Sequence, residues 1–176
     1  MLQVDIRSER PEDIGAIYDL TKRAFAPMVF AGGNEQDLIN AVRDTGALSI
    51  SLVAEIGSRI VGHVAFTPAT SADNTPGWFG LGPVAVEPEL QRKGIGPQLI
   101  NEGLGKLREW NAAGCIVLGD PNYYQRFGFL PFPALAPAGQ PSEYFMILPM
   151  MESQPKSVVD FHPLFSEGES KHNSGG

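Results

Sequence analysis

The chain has 176 residues, enough for one ordinary domain with a complete core. Hydrophobic residues make up 43% and charged residues 19%, the balance of a soluble globular protein. A net charge of −7 and a pI of about 4.9 argue against a general nucleic-acid or anionic-membrane surface, which would repel phosphates, but they leave room for a local basic pocket.

The N-terminal MLQVDIRSERPED carries acidic residues and no long apolar stretch, so it does not read as a signal peptide. Gln3 to Arg7 alternates and predicts a first strand. Pro11, Glu12 and Asp13 suit a first helical turn, and Ile14, Ile17, Tyr18, Ala24 and Phe25 follow at helical spacing. Two glycines break the pattern between Ala31 and Asn34, and Glu35 to Arg43 predicts a second helix with Leu38, Ile39 and Val42 on one face. Ser49 to Glu55 and Arg59 to Thr67 are β-like runs around a Gly57-Ser58 turn, a hairpin signal. Ser71 to Gly77 reads as a loop, and Trp78 to Val86 as the next strand.

Pro97 to Trp110 predicts a helix with Leu99, Ile100, Leu104 and Leu107 on its apolar face. Cys115 to Leu118 is a short apolar run of the kind buried on both faces. Pro121 to Phe127 predicts a brief helix, and Tyr144 to Met150 a last clear strand. Val158 to Phe165 adds an edge strand or packs on the core; Ser166 to Gly176 has the composition of a disordered tail. The expected domain is therefore 1–152, followed by a partly disordered extension, 153–176. No run approaches the roughly 18 apolar residues of a spanning helix. The lone cysteine, Cys115, permits no internal disulfide, and together these features predict a cytoplasmic protein. The fold class is α/β of the α+β type. Its sheet is mixed: the hairpin makes an antiparallel pair, while strand–helix–strand from Leu81 to Leu118 makes a parallel one.

The stretch between that strand and helix is AVEPELQRKGIGPQLI, Ala85 to Ile100. Backbone N–H groups at a helix start lack intrahelical partners, and glycines let a ligand approach them, so an anion is the natural occupant. Arg92 and Lys93 add two cationic side chains. No stretch matches a Walker loop. A dinucleotide fingerprint fails because Leu99 stands where its third glycine belongs. The pattern Q/R-x-x-G-x-G/A fits every position of Gln91-Arg92-Lys93-Gly94-Ile95-Gly96.

That pattern resembles the GNAT superfamily of acyl-CoA-dependent N-acyltransferases, which hold the coenzyme A pyrophosphate on this turn. The strand Leu81 to Val86 and the link Glu87-Pro88-Glu89-Leu90 are similar to the family's central segment, and LGDPNYYQRFGFLP (Leu118 to Pro131) resembles its next one. In that segment a tyrosine, here Tyr124, stands four residues before Gly128-Phe129. The resemblance covers about residues 3 to 150. Two departures are visible: Pro97 lacks an N–H, and Gly119-Asp120-Pro121 leaves little helix ahead of Tyr124.

The resemblance implies a GNAT-like, mostly antiparallel central sheet flanked by helices, with a parallel strand pair splayed at the acyl-CoA site. It implies acetyl-CoA as cosubstrate, no metal, and direct attack by a primary amine of a small molecule or peptide. Gln91, Arg92, Lys93, Gly94, Ile95, Gly96 and Pro97 would hold the pyrophosphate. Val84, Ala85 and Val86 would lie along the pantetheine arm and supply an oxyanion donor. Tyr124 would be the acid for the leaving thiolate. Glu87 and Asp120 are candidates for the base, as is a water chain. The regions Phe25 to Asn34 and Thr67 to Gly77 would frame the acceptor side. No nucleic acid or membrane partner is expected, and monomer and homodimer both stay open. The alternative class is a non-catalytic acyl-CoA sensor or interaction module.

Several residues have plainer readings. Arg92 and Lys93 also suit a solvated turn, and Tyr124 also suits packing beside Tyr123 and Phe127. Cys115 reads as core, and His63 as a structural histidine within a strand. The three histidines lack metal-ligand spacing, and Trp78 and Phe79 suit packing and a substrate cleft equally.

Overall fold

The computed structural model describes residues 3–28, 32–151 and 157–165. In chain order its elements are β1 (Asp5–Ser8), α1 (Ile14–Phe25), α2 (Glu35–Asp44), β2 (Ile50–Ile56), β3 (Arg59–Pro68), β4 (Thr70–Ser71), β5 (Trp78–Val86), α3 (Ile95–Glu109), β6 (Gly114–Leu118), α4 (Pro121–Tyr124), β7 (Leu130–Pro131), β8 (Phe145–Pro149) and β9 (Val159–Asp160). Seven strands form one sheet in the order β1-β2-β3-β5-β6-β8-β7, and β4 pairs with β9 separately. The β1–β2, β2–β3, β6–β8 and β7–β8 ladders are antiparallel, while β5–β6 is parallel. This is the mixed sheet that the hairpin and the strand–helix–strand order predict, and the mostly antiparallel one that the resemblance implies. The parallel ladder joins Trp78, Phe79 and Gly80 to Gly114, Cys115 and Ile116.

The chain divides into two compact units. One holds the residues up to Phe66, Gly82–Gly103 and those from Pro163; the other holds Thr67–Leu81 and Leu104–His162. In the first unit, α1 buries Ile17, Leu20, Thr21 and Ala24 at helical spacing. Ile17 meets Ile39 of α2 and Val53 of β2, while Leu20 and Ala24 meet Ala85 of β5. Ile17, Leu20, Ile39 and Val53 each contribute about 1.5–3 kcal/mol by leaving water. On β3, Gly62 makes room for α3, since a Cβ there would stand 3.0 Å from both Ile95 and Leu99. Arg7 ties β1 to its neighbours, donating to Asp13 at 2.7 Å and to Glu55 at 2.6 Å. Its guanidinium holds the Asp13 carboxyl below the usual carboxylate range.

His63 lies fully buried on β3, with its Nε2 2.7 Å from Ser51 Oγ. Ser51 in turn donates to Glu9, which also accepts from Arg43 at 2.8 Å. A hydroxyl that donates to a carboxylate can only accept from the ring, so Nε2 carries the proton. Nδ1 has no hydrogen-bond partner among the described residues. His63 is thus a buried structural histidine, but not the fully satisfied one its place in a strand suggests. Burial pushes its pKa down to about 4, against the opposing pull of Glu9.

The second unit packs Trp78, Ile116, Phe145, Ile147 and Val159 into one cluster. Val159 brings β9 into it, and Phe161 lies 2.9 Å from where a Cβ on Gly80 would stand. The segment after Val158 thus does both things the sequence allowed: it forms a strand and it packs on the core. Trp78 is a packing residue here, with 3% of its surface exposed. Cys115 is fully buried, and burial pushes its thiol well up, as a core cysteine requires.

Other sequence expectations shift. The predicted loop from Ser71 to Gly77 begins inside β4, which pairs Thr70 with Asp160 and Ser71 with Val159. Leu130–Pro131 forms a strand that periodicity did not signal. The brief helix is a turn of α4 followed by a 3₁₀ turn, Gln125–Phe127. The tail expected to be disordered, Ser166 to Gly176, and most of the extension's first residues, 153–156, lie outside the described residues.

Two consequences are measurable. A Cβ on Gly103 of α3 would run into the Phe66 ring, so Gly103→Ala should destabilise by about 1–3 kcal/mol in denaturant unfolding. The second concerns pH. Because His63 binds its proton less readily when folded, the unfolded chain takes up the extra proton as pH falls from 6.5 toward 4. Stability should therefore drop across that window, by up to about 3 kcal/mol from this group. His63→Gln should flatten that part of the pH–stability curve, and an unaltered slope would show that His63 does not drive it.

Candidate functional site

The path from β5 into α3 is built entirely within the first unit. β5 ends at Val86, and a 3₁₀ turn follows at Pro88–Leu90. Proline suits such a first turn because its φ is preset and no donor is lost. Gln91 then leaves in an extended conformation, with φ −67° and ψ 155°. Its side-chain amide donates back to the Val86 carbonyl at 3.1 Å, fastening the turn to the strand it came from. Arg92 has φ +64° and Gly94 has φ +88°. Only glycine enters that region without cost, so Arg92 holds a strained backbone.

The sequence predicts the helix from Pro97, but it begins two residues earlier, at Ile95. The first helical bond runs from the Gln98 N–H to the Gly94 carbonyl at 3.3 Å. Gly94 is thus the capping residue, and Ile95, Gly96 and Pro97 fill the positions whose N–H groups have no intrahelical acceptor. Pro97 costs the helix nothing at that position, and Ile95 and Gly96 supply the N–H groups. Ile95 is buried, while Gln91 to Gly94 are exposed. The turn is anchored at its helical end and open along its length. Upstream, Ala85 is buried against α1, whereas Val84 and Val86 are only partly buried.

In the second unit, Tyr124 closes α4. Asp120 caps that helix, accepting from the Asn122 N–H at 2.9 Å. The Tyr124 ring lies over Gly119, which has no Cβ to block it. It packs edge-on against Tyr123 and Phe129, with centroids 4.9 and 5.9 Å apart. Burial, with Tyr123 close by, pushes its phenol above the usual value. Tyr124 therefore keeps its proton at neutral pH, and its packing is also real.

The two base candidates are both engaged. Asp120 serves as the helix cap just described. Glu87 is 3% exposed, and its two oxygens accept from Arg23 Nε and Nη2 at 2.9 and 3.0 Å. Sequence reading did not find Arg23, because it lies 64 residues away from its partner. Arg59, 3.4 Å from Glu87, was also missed.

Comparison with known proteins bears directly on this arrangement. A family model for the acetyltransferase (GNAT) family matches residues 14–129. The uncharacterized N-acetyltransferase YhbS of Escherichia coli (strain K12) is 36% identical over 125 residues, covering 70% of this chain and 72% of that protein. A crystal structure of a GNAT family acetyltransferase from Brucella melitensis, in complex with acetyl-CoA, has a TM-score of 0.83 and 39% identity, covering 94% of this chain and 99% of that one. YhbS of Escherichia coli in complex with CoA gives a TM-score of 0.84 at 29% identity, covering 94% and 93%. The family model spans well over half of the chain, and on that ground the chain belongs to the acetyltransferase (GNAT) family.

Proposed function

We propose that this chain, with residues 1–152 as its catalytic domain, is an acetyl-CoA-dependent N-acetyltransferase acting on a primary amine. The observation that carries the reading is the turn. Two left-handed residues, Arg92 and Gly94, lead into a helix whose first N–H groups are free of intrahelical acceptors. Relatives of similar sequence bind acetyl-CoA or CoA, which supports the same cosubstrate here.

The roles follow. The backbone from Arg92 to Gly96 seats the pyrophosphate, with Arg92 and Lys93 adding charge and Gln91 holding the turn to β5. Pro97 presets the helical backbone behind it. Val84, Ala85 and Val86 pair with the pantetheine arm as an added strand would, and a backbone N–H there polarises the thioester carbonyl. The neutral amine attacks the carbonyl carbon, a C–N bond forms, and the C–S bond breaks. The amine's surplus proton leaves to water. Tyr124 donates a hydrogen bond to the departing thiolate and then its proton, and regains a proton from the water that took up the amine's, so the phenol is restored. The acceptor is a small-molecule or peptide amine; Thr67–Gly77 borders its side, as does Phe25–Asn34, of which residues 29–31 lie outside the described ones. Positioning supplies much of the rate.

Two experiments test this. Calorimetry of the full chain with acetyl-CoA, and with ATP and NAD as controls, should show binding of acetyl-CoA alone. A Cβ at Gly94 meets nothing within 4 Å, so Gly94→Trp should stay folded at a backbone cost of about 1–2 kcal/mol. It should lose acetyl-CoA binding, and unchanged affinity would refute the site. Tyr124→Phe should keep that affinity and lower the rate of thiol release by about 100-fold or more. A wild-type chain that binds acetyl-CoA yet releases no thiol with any amine screened would instead fit a sensor.

A further inference from the structure

Glu87 has no place in the chemistry above, yet it is the most heavily tied residue near the turn. Its carboxylate is buried and accepts from Arg23 of α1 through both oxygens. Arg59, at the start of β3, reaches the same carboxylate at 3.4 Å and Glu89 at 3.0 Å. The backbone of Glu87 is fixed as well. Its N–H donates to the Val61 carbonyl at 2.8 Å, and its carbonyl accepts from the Leu90 N–H at 2.8 Å. One residue is thus pinned to α1, to β3 and to the 3₁₀ turn that follows.

The neighbours of Glu87 carry the turn. Val86 presents the carbonyl that receives the Gln91 side chain, and Leu90 precedes Gln91 directly. From Gln91 only two residues lead to Gly94, the cap of α3. Any rotation at Glu87 therefore moves the point from which Arg92 to Gly96 are hung. The exposed stretch of the turn is held from its two ends, and this joint is one of them.

We propose that Glu87 is a positioning residue: gripped by Arg23 and Arg59, it sets the geometry of the Arg92–Gly96 turn and so the affinity for the pyrophosphate of coenzyme A. The proposal rests on the acetyl-CoA reading and deepens it. It also assigns Glu87 away from base catalysis, since both oxygens are held by a guanidinium. A site whose donors are preset binds better than one that must be ordered by its ligand.

The test compares acetyl-CoA with S-acetylpantetheine, which has the thioester arm but no phosphate, by NMR titration of the full chain. In Glu87→Gln and Arg23→Gln, the Kd for acetyl-CoA should rise about 10-fold or more, because small misplacements of a binding group are costly. The Kd for S-acetylpantetheine should change less than about 2-fold, as for an independent site. Combining either change with Gln91→Ala should add little further loss, since all act through one turn. Arg23 is 51% exposed, so Arg23→Gln decides the matter if Glu87→Gln does not fold. Unchanged acetyl-CoA affinity in a folded variant would overturn the proposal. So would equal weakening of both ligands, which marks a general structural loss. A wild-type chain that fails to bind acetyl-CoA is a different result: it sinks the acetyl-CoA reading itself, and this proposal with it.

Discussion

A carboxylate with 3% exposure, such as Glu87, needs cations, because an unpaired charge so buried costs several kcal/mol. That requirement binds together parts of the chain that local sequence would leave independent. Arg23 sits in the last turn of α1, and Arg59 opens β3, and both must point at the end of β5. Once they do, α1, β3 and β5 share one fixed point. The apolar contacts of Leu20 and Ala24 with Ala85 lie just before it and hold the same pair of elements together. Packing brings α1 and β5 into contact, and the ion pair sets how they are aligned along each other.

The first unit repeats this device. Arg7 joins β1, the 3₁₀ turn Pro11–Asp13 and β2, while Arg43 joins α2 to Glu9 and, through Ser51, to His63. Arg7, Arg23, Arg43 and Arg59 thus serve alignment inside an acidic chain. The second unit is assembled differently, from aromatic and aliphatic contacts around Trp78 and around Tyr124. Directional bonds tolerate little sliding, whereas apolar clusters fix volume more than register. In the second unit register is supplied by ladders, including the five pairs of β6 with β8.

What could be read from the sequence divides along the same line. The β2–β3 hairpin, the bounds of β5 and the parallel pairing with β6 were legible because each is signalled by residues within a short window: Gly57-Ser58, alternating apolar runs, an intervening amphipathic helix. The Gln91–Gly96 pattern was legible for the same reason. The start of α3 was placed too late because Pro97 looks like a first residue, whereas proline is equally at home at the third position, whose N–H is also unbonded. The β4–β9 ladder escaped notice because two-residue strands carry no period, and Thr70 finds Asp160 only after the chain has folded. Arg23 and Arg59 were invisible as partners of Glu87 for a similar reason. An arginine on a helix and another at the start of a strand look like ordinary solvated charges until the fold places a buried carboxylate between them.

The turn itself shows why such distant supports matter. Two left-handed residues, Arg92 and Gly94, fall within three positions, and one of them has a side chain. Left to itself, a peptide of this sequence would populate that shape poorly, since a non-glycine residue there costs about 1–2 kcal/mol. The shape persists because both ends are held. Gln91 is fastened to the Val86 carbonyl, and Ile95 is wedged over Gly62. Strain held in this way is useful for binding an anion. Left-handed residues in a turn can gather N–H groups on one side, and a ligand then need not supply the energy to turn them. Pro97 fits this economy, because its fixed φ stiffens the helix start where the lost donor is least missed. On the proposed acetyl-CoA reading, a turn built so would be stiff at its edges and open at its centre for the pyrophosphate, and the joint at Glu87 would set its shape while Arg92 and Lys93 add charge.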